Sequence, residues 1–165
     1  MTYRAIVFDI DKTLTASKEP IEDSMAELLA QLLEKVPVGI ITGGPMSVID
    51  ANVLSHLTPE TRLGNLYVLP TSGAALYTYV NGAWTPRYAL ELSANDVAAI
   101  DAAIAAACSE TGLVDLSAES YGDIVEHRGP QVTLSALGQN APLELKDAWD
   151  PDGTKKRTLR DAIAK

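Results

Sequence analysis

The sequence predicts an α/β protein with a parallel sheet in its first half and a smaller α+β module after it. Two observations lead to this fold class. In the first half, short apolar runs alternate with amphipathic helical segments, which is the pattern of βαβ units. In the second half, an alanine-rich helix, two short strands and a basic helix follow one another, an order typical of an α+β unit. We expect the division to fall between residues 1–80 and 81–165.

Hydrophobic periodicity and turn residues define the elements of the first half. An apolar run that ends at Phe8 predicts a strand buried on both faces. Apolar residues at helical spacing predict a crossover helix, with Ser17 as its candidate cap and Pro37 as its end. Asn81-Gly82 between two strand-like runs predicts a hairpin with a primed turn. The predicted strands are 3–8, 38–41, 66–69, 76–80 and 84–88, and the predicted helices are 17–36 and 46–57.

The second half has fewer but clear signals. Ser93 is the expected cap of a helix, and Gly112 follows the end of that helix. A turn at 150–153 precedes a basic helix that begins at Thr154 and runs to the last residue. The predicted long helix is 95–110, and the two strands are 124–127 and 131–137.

Composition narrows the classes of function. The formal net charge of −9 disfavours nucleic acid as a partner, because that binding depends on clustered Lys and Arg. The same charge means that an anionic substrate needs a local binding site. The single cysteine, Cys108, cannot form an internal disulfide, and we expect it to be buried in a helix. No apolar stretch reaches transmembrane length, so we expect a cytoplasmic protein with no membrane partner.

Two aspartates, Asp9 and Asp11, stand at the carboxyl end of the first strand, where open α/β sheets bind ligands. Residues i and i+2 of an extended chain point to the same side, so both can face one pocket. Two carboxylates at such a short separation repel each other unless a cation or a proton lies between them. Mg²⁺ is a suitable cation because it prefers oxygen ligands. The alternative is an ordinary polar exit from a strand. A calcium loop of the EF-hand type is excluded, since Thr13 and Leu14 stand where an oxygen ligand and a glycine are needed.

Two further loops follow the second and third predicted strands. The segment 42–45 reads Thr-Gly-Gly-Pro; its hydroxyl can donate to a phosphoryl oxygen, and its glycines let backbone N–H groups approach an anion. An ordinary β–α turn is the alternative, and a P-loop is excluded because no Gly-Lys-Ser/Thr follows. The segment 71–74, Thr-Ser-Gly-Ala, either lines the same pocket or turns into the next strand.

These residues resemble the haloacid dehalogenase superfamily of phosphotransferases. Phe8-Asp-Ile-Asp-Lys-Thr-Leu-Thr15 resembles its motif I, and Ile41-Thr-Gly-Gly44 stands where motif II is found. Glu126-His-Arg-Gly-Pro-Gln-Val-Thr-Leu-Ser-Ala-Leu-Gly138 and Asp150-Pro-Asp-Gly-Thr-Lys-Lys-Arg157 extend the likeness over nearly the whole chain, towards the phosphomannomutase-like branch of subfamily IIB. The resemblance implies a Rossmann-like parallel-sheet core in the N-terminal part and an α+β cap of the C2 type.

The resemblance also implies roles for individual residues. Asp9 is expected to be the nucleophile and Asp11 the general acid and base, and both are expected to hold Mg²⁺, Asp9 through its carboxylate and Asp11 through its backbone carbonyl. Thr42 and Gly43 would bind the phosphoryl group. Arg128, in the cap, would bind the far end of a small phosphorylated substrate, such as a sugar phosphate. The resemblance also allows a homodimer through the cap.

Two departures from the family bear on activity. Gln139 stands where phosphomannomutases have an arginine, which favours a phosphatase over a mutase that must grip a bisphosphorylated sugar. The motif III lysine and the motif IV acidic residues would follow Lys165, and Lys155 and Lys156 are not expected to replace that lysine. We therefore expect this chain alone to have little activity, whether it is part of a longer protein or a natural short one. A Mg²⁺-dependent phosphatase is the leading hypothesis; a phosphomannomutase and a non-catalytic binding module are the alternatives.

Overall fold

The computed structural model describes residues 4–16 and 19–165 and divides the chain into two compact units, Met1–Leu90 and Glu91–Lys165. Each unit has a hydrophobic cluster of its own. The predicted start of the first strand and the predicted helix cap Ser17 lie outside the described residues.

The first unit contains a mixed five-stranded sheet with the strand order β1-β2-β3-β4-β5. Its strands are β1 (Ile6–Asp9), β2 (Val38–Ile41), β3 (Leu66–Leu69), β4 (Ala75–Val80) and β5 (Ala83–Ala89). The first three strands are parallel, and β4 and β5 continue the sheet in antiparallel fashion. The predicted α/β class is confirmed.

Two helices make the crossovers of this sheet: α1 (Asp23–Leu33) joins β1 to β2, and α2 (Met46–Asn52) joins β2 to β3. The second helix is shorter than predicted, and a 3₁₀ turn at Leu54–His56 follows it. It ends early because the backbone at Val53 leaves the helical region, with φ −131°. The carbonyl of Asn52 instead accepts a hydrogen bond from the N–H of Ile21, at 2.7 Å.

Helices cover one face of the sheet. The apolar side chains of that face and of both helices form the core: Leu29, Leu33, Val38, Ile40, Ile49, Val53, Leu66 and Val68. On the opposite face, Val7 in the middle of β1 is 60% exposed and Tyr67 of β3 is 38% exposed. The prediction that the first strand is buried on both faces is therefore wrong. Strand β1 lies at the edge of the sheet, and alternate side chains of a strand point to opposite faces.

The predicted hairpin is confirmed, together with its primed turn. Asn81 and Gly82 both have positive φ, 52° and 83°, as a type I′ turn requires. Strand β5 pairs with β4 along its length, so the hairpin belongs entirely to the first unit. The boundary therefore lies after Leu90, and the predicted division at residue 80 would separate two hydrogen-bonded strands.

The second unit consists of α3 (Ala94–Thr111), the two-stranded antiparallel sheet of β6 (Val125–His127) and β7 (Val132–Leu134), α4 (Leu143–Trp149) and α5 (Thr154–Ile163). Ser93 caps α3 as predicted: its hydroxyl accepts the N–H of Asp96, whose carboxylate accepts the N–H of Ser93, each at 3.2 Å. Cys108 is 3% exposed, and burial raises the pKa of its thiol, so the expectation of a buried cysteine is confirmed.

The turn before α5 acts as a cap for that helix. The buried carboxylate of Asp150 accepts the backbone N–H groups of Lys155 (2.9 Å) and Lys156 (3.1 Å). Asp152 accepts the N–H of Thr154, and this hydrogen bond lowers the pKa of the Asp152 carboxyl. The first N–H groups of a helix have no partner within it, so these carboxylates stabilise its start. Among the described residues, no helix combines the length and the apolar character needed to cross a bilayer.

Candidate functional site

The last residues of the three parallel strands of the first unit form one row across the sheet. The sheet register pairs Asp9 of β1 with Ile41 of β2, and Ile41 with Leu69 of β3. Neighbouring strands lie about 4.8 Å apart, so Asp9 and Thr42 leave the sheet side by side. The loops that follow the three strands therefore emerge together at the carboxyl edge, where open α/β sheets bind their ligands. Asp11 and Gly43, each two residues beyond the row, lie in the first two of these loops.

The loop after β1 closes around a single carbonyl. Three successive N–H groups donate to the oxygen of Ile10: those of Thr13 (3.1 Å), Leu14 (2.9 Å) and Thr15 (3.1 Å). Lys12 takes a left-handed backbone, φ 59°, and its N–H donates to the carbonyl of Thr15. Ile10 is 1% exposed and anchors the turn in the core, whereas Asp9 and Asp11 are exposed. The apolar residue thus fixes the loop and leaves both carboxylates on its outer side.

The loop after β2 is held by backbone hydrogen bonds to the segment after β3. Thr42 donates its N–H to Leu69 (3.2 Å), and its carbonyl accepts the N–H of Ser72 (2.8 Å). The carbonyl of Gly44 accepts the N–H of Thr71, also at 2.8 Å. The Thr42 hydroxyl accepts the N–H of Gly44 at 3.3 Å, and because a hydroxyl that accepts keeps its own proton, it can still donate to an anion.

The donor atoms of this edge fit a magnesium ion that keeps much of its water. Asp9 and Asp11 supply oxygen ligands only, which is the chemistry that Mg²⁺ prefers, and both are exposed. In residues 4–16 and 19–165, no three or more His, Cys, Asp or Glu side chains lie close enough together to hold a metal. This rules out a closed multi-ligand centre within that part of the chain. It is compatible with an ion bound through one or two carboxylates and completed by water and substrate phosphate.

Arg128 lies in the second unit, where an internal carboxylate engages it. Its Nη2 donates to Oε2 of Glu126 at 2.6 Å, and the two side chains are only 20% and 22% exposed. With its amide nitrogen turned towards the carboxylate, Gln139 also donates to Glu126, with 3.2 Å to Oε1. Glu126 thus lies between the guanidinium and the amide. The role of Arg128 at the far end of a substrate stays a prediction.

The second unit also contains an apolar cavity of about 590 Å³. Its walls come from the end of β7, from the segment that follows it, and from α4 and α5; they include Leu134, Ala136, Trp149, Leu159 and Ile163. Neither Arg128 nor Gln139 lines this cavity. The cavity is therefore separate from these two residues, whereas Lys156, also named in the sequence analysis, is one of its lining residues.

Comparison with solved structures gives the same fold. The chain superposes on an ATP-bound IMP-nucleotidase from Plasmodium falciparum with a TM-score of 0.60, at 13% identity, covering 97% of this chain and 41% of the other. It superposes on a haloacid dehalogenase-like hydrolase from Bacteroides thetaiotaomicron with a TM-score of 0.50, at 22% identity, covering 64% and 38%. This chain has the haloacid dehalogenase fold. At these identities the likeness concerns the fold alone.

Sequence comparison adds a second, independent resemblance. The chain is 27% identical over 139 residues to a probable phosphomannomutase from Caenorhabditis elegans, a match that covers 84% of this chain. The chain spans 53% of the length of that relative. No family model matches the sequence. The haloacid dehalogenase fold and the phosphomannomutase-like sequence thus agree with the resemblance found from the motifs.

Two features of the site were not found from sequence. The left-handed turn at Thr71 and Ser72 gave no signal beyond the glycine that follows it, because residues with a side chain disfavour positive φ. The partner of Arg128 could have been suspected, since Glu126 lies only two residues before it, on the strand β6 that ends just ahead of Arg128.

Proposed function

We propose that this chain carries the nucleophile and the phosphate loop of a Mg²⁺-dependent phosphatase that acts on a small phosphorylated metabolite, with sugar phosphates as the favoured class. One observation carries the proposal. The register Asp9–Ile41–Leu69 brings two exposed carboxylates and the Thr42 hydroxyl to adjacent strand ends of a haloacid dehalogenase fold. An exposed nucleophile beside an anion-binding loop is what phosphoryl transfer requires.

The reaction follows from the roles of two aspartates. A carboxylate oxygen of Asp9 attacks phosphorus, the bond to the leaving oxygen breaks, and Asp11 gives that oxygen its proton. Asp11, now ionised, takes a proton from a water molecule whose oxygen attacks the aspartyl-phosphate, which releases phosphate and restores Asp9. Thr42 and the glycine amides after it orient the phosphoryl oxygens. Mg²⁺, when held by the Asp9 carboxylate and the backbone carbonyl of Asp11, would screen the repulsion between the Asp9 carboxylate and the phosphate.

A mutase is the second candidate, and the relative described as a probable phosphomannomutase favours it. Gln139 argues against it. A glutamine amide carries no charge, so it lacks both the positive charge and the two parallel N–H groups with which an arginine holds a phosphate. Arg128, with Glu126 beside it, would be the remaining cation for a second phosphate in this strand pair. Efficient interconversion of hexose 1- and 6-phosphates would decide for the mutase.

Titration with phosphate and magnesium tests the proposed function without relying on turnover. In ¹⁵N-labelled protein, inorganic phosphate with MgCl₂ should shift the amide signals of Gly43 and Gly44, and Thr42→Val should weaken this binding. MgCl₂ alone should bind weakly in a calorimetric titration, because Asp9 and Asp11 would supply the ion with only two protein oxygen ligands. The amides of Gly64 and Gly82, off the carboxyl edge, should stay unchanged. Phosphate that leaves the loop unshifted would overturn the proposed function.

The pairing of Arg128 leads to a prediction about stability. Arg128→Ala should lower the free energy of unfolding by about 1–3 kcal/mol, since it leaves a largely buried carboxylate, Glu126, without its cation. Arg160→Ala is the matched control: its ion pair with Asp161 is 69% and 66% exposed, so the loss should stay below about 1 kcal/mol. Urea unfolding measures both.

A double variant separates the ion pair from simple loss of packing. Glu126→Gln combined with Arg128→Ala should recover part of the stability, because the amide leaves no unpaired charge. Equal losses for Arg128→Ala and Arg160→Ala would show that Glu126 does not depend on Arg128.

On a small aryl phosphate, which we expect not to reach the second unit, Arg128→Ala should change hydrolysis little.

A further inference from the structure

The segment after β3 has an unusual backbone. Among the described residues, four non-glycine residues have positive φ: Lys12, Thr71, Ser72 and Asn81. Asn81 belongs to the hairpin turn, where such a conformation is expected. The other three lie in the two loops that flank the phosphate loop at the carboxyl edge. A β-branched residue such as Thr71, at φ 53°, is a true outlier, so the surrounding structure must hold it there.

The strained residues direct two N–H groups onto the phosphate loop. Thr71 donates to the carbonyl of Gly44 and Ser72 to that of Thr42, both at 2.8 Å. A trans peptide is planar, and its C=O and N–H point in opposite directions. Fixing the carbonyl of Thr42 therefore also fixes the direction of the Gly43 N–H, which belongs to the same peptide unit.

The turn is itself anchored from the hairpin. The hydroxyl of Tyr88, on β5, donates to the carbonyl of Gly73 at 2.9 Å, and the N–H of Leu90 donates to Ala74 at the same distance. The N–H of Ala74 donates to the carbonyl of Thr71 at 3.1 Å. A rigid pair of strands thus holds the turn on one side, and the turn holds the phosphate loop on the other.

We propose that the turn Thr71–Gly73 is a positioning element of the phosphate site, whose left-handed backbone fixes the Thr42–Gly44 loop in its anion-binding form. This deepens the proposed function and rests on it. The turn acts through Thr42 and Gly43, which touch the phosphoryl group; its own contribution is the pair of backbone donors. The strain has a structural return, because the left-handed backbone directs both N–H groups at the loop.

A matched set of variants tests the turn with inorganic phosphate and MgCl₂ as the probe. Ser72→Pro removes the N–H and forbids φ 58°, so the Kd for phosphate should rise roughly tenfold. Ser72→Gly keeps the N–H and can adopt the left-handed backbone, so it should bind phosphate like the wild type. This variant also tests whether the Ser72 hydroxyl contributes to binding, since its oxygen lies 3.8 Å from the position that a Cβ atom on Gly43 would occupy. Gly112→Pro makes the same two changes in the second unit, where it forbids φ 63° and removes an N–H that donates to the carbonyl of Cys108, and it should leave the Kd unchanged.

Hydrogen exchange of the wild type keeps the proposal testable even if Ser72→Pro does not fold. The amides of Thr71 and Ser72 should exchange at least about tenfold more slowly than the exposed hairpin-tip amide of Gly82, and more slowly still with phosphate bound. Fast exchange at both amides, or an unchanged Kd in a folded Ser72→Pro protein, would overturn the positioning role alone. A wild type that shows slow exchange but binds no phosphate would instead overturn the proposed function.

Discussion

Asp9→Asn should abolish formation of a phosphorylated protein and, in a protein that carries all four catalytic motifs, reduce phosphatase turnover by about three orders of magnitude or more, the scale seen when a covalent nucleophile is removed. An amide nitrogen or oxygen does not attack phosphorus as a carboxylate does, and the substitution also removes a charge from the proposed Mg²⁺ site. Asp9 is the last residue of β1 and is exposed, so the fold should be retained. Loss of activity would then be chemical.

Intact mass is the direct measurement for this prediction. Wild-type protein mixed with MgCl₂ and a small acyl phosphate, then quenched in acid, should gain one phosphoryl group, which Asp9→Asn should not. Asp50→Asn makes the same chemical change at an exposed position on α2 and serves as the control. A phosphoryl group retained in Asp9→Asn would assign the nucleophile to another residue. A wild type with all four catalytic motifs that takes up none would count against the proposed function itself.

The sequence predicts the sheet well because each of its early strands carries a local signal. β2 and β3 are apolar runs, and the hairpin is marked by Asn81-Gly82, whose backbone requirements few other pairs meet. The helix caps follow the same logic: Ser93 and Asp96 are close in sequence, so their mutual hydrogen bonds can be read directly from residue spacing.

Properties set by distant parts of the chain could not be predicted. The exposure of Val7 depends on β1 being an edge strand, and an apolar run reads the same at an edge as in the middle of a sheet. The boundary after Leu90 depends on β5 pairing within the first sheet. The short helix α4, Leu143–Trp149, has too few turns to show a clear periodicity, so it was not predicted.

The candidate site likewise has a part that local sequence predicts and a part that depends on tertiary contacts. Asp9 and Thr42 could be placed together from sequence, because both follow apolar strands and the carboxyl ends of parallel strands meet at one edge. For the segment 71–74 the sequence left two alternatives open, and the left-handed backbone of Thr71 and Ser72 could not be predicted, since it is opposed by these residues themselves and imposed by hydrogen bonds to the neighbouring loop. Local chemistry predicts which groups can react, and tertiary contacts decide how firmly they are held.

In a protein that carries all four catalytic motifs, Asp11→Asn should slow hydrolysis by about 10²–10⁴-fold, the usual contribution of a general acid and base, while leaving the nucleophile in place. The loss should depend on the leaving group. The p-nitrophenolate ion leaves without a proton, so its ester should lose less activity than an alkyl phosphate, whose alkoxide must be protonated as the bond breaks. The two substrates should therefore separate Asp11→Asn from any variant that merely weakens binding.

The second step gives Asp11→Asn a signature that Asp9→Asn cannot share. Without a base to activate water, the phosphorylated form should persist, so acid-quenched Asp11→Asn should carry more phosphoryl group than the wild type after reaction with p-nitrophenyl phosphate. Asp11 is exposed and lies in a turn anchored by Ile10, so the substitution should leave the core intact. The prediction would be wrong if Asp11→Asn lost equal activity on the aryl and alkyl esters and the phosphorylated protein did not accumulate. Asp11 would then be a metal ligand or a structural residue, and another group would transfer the proton.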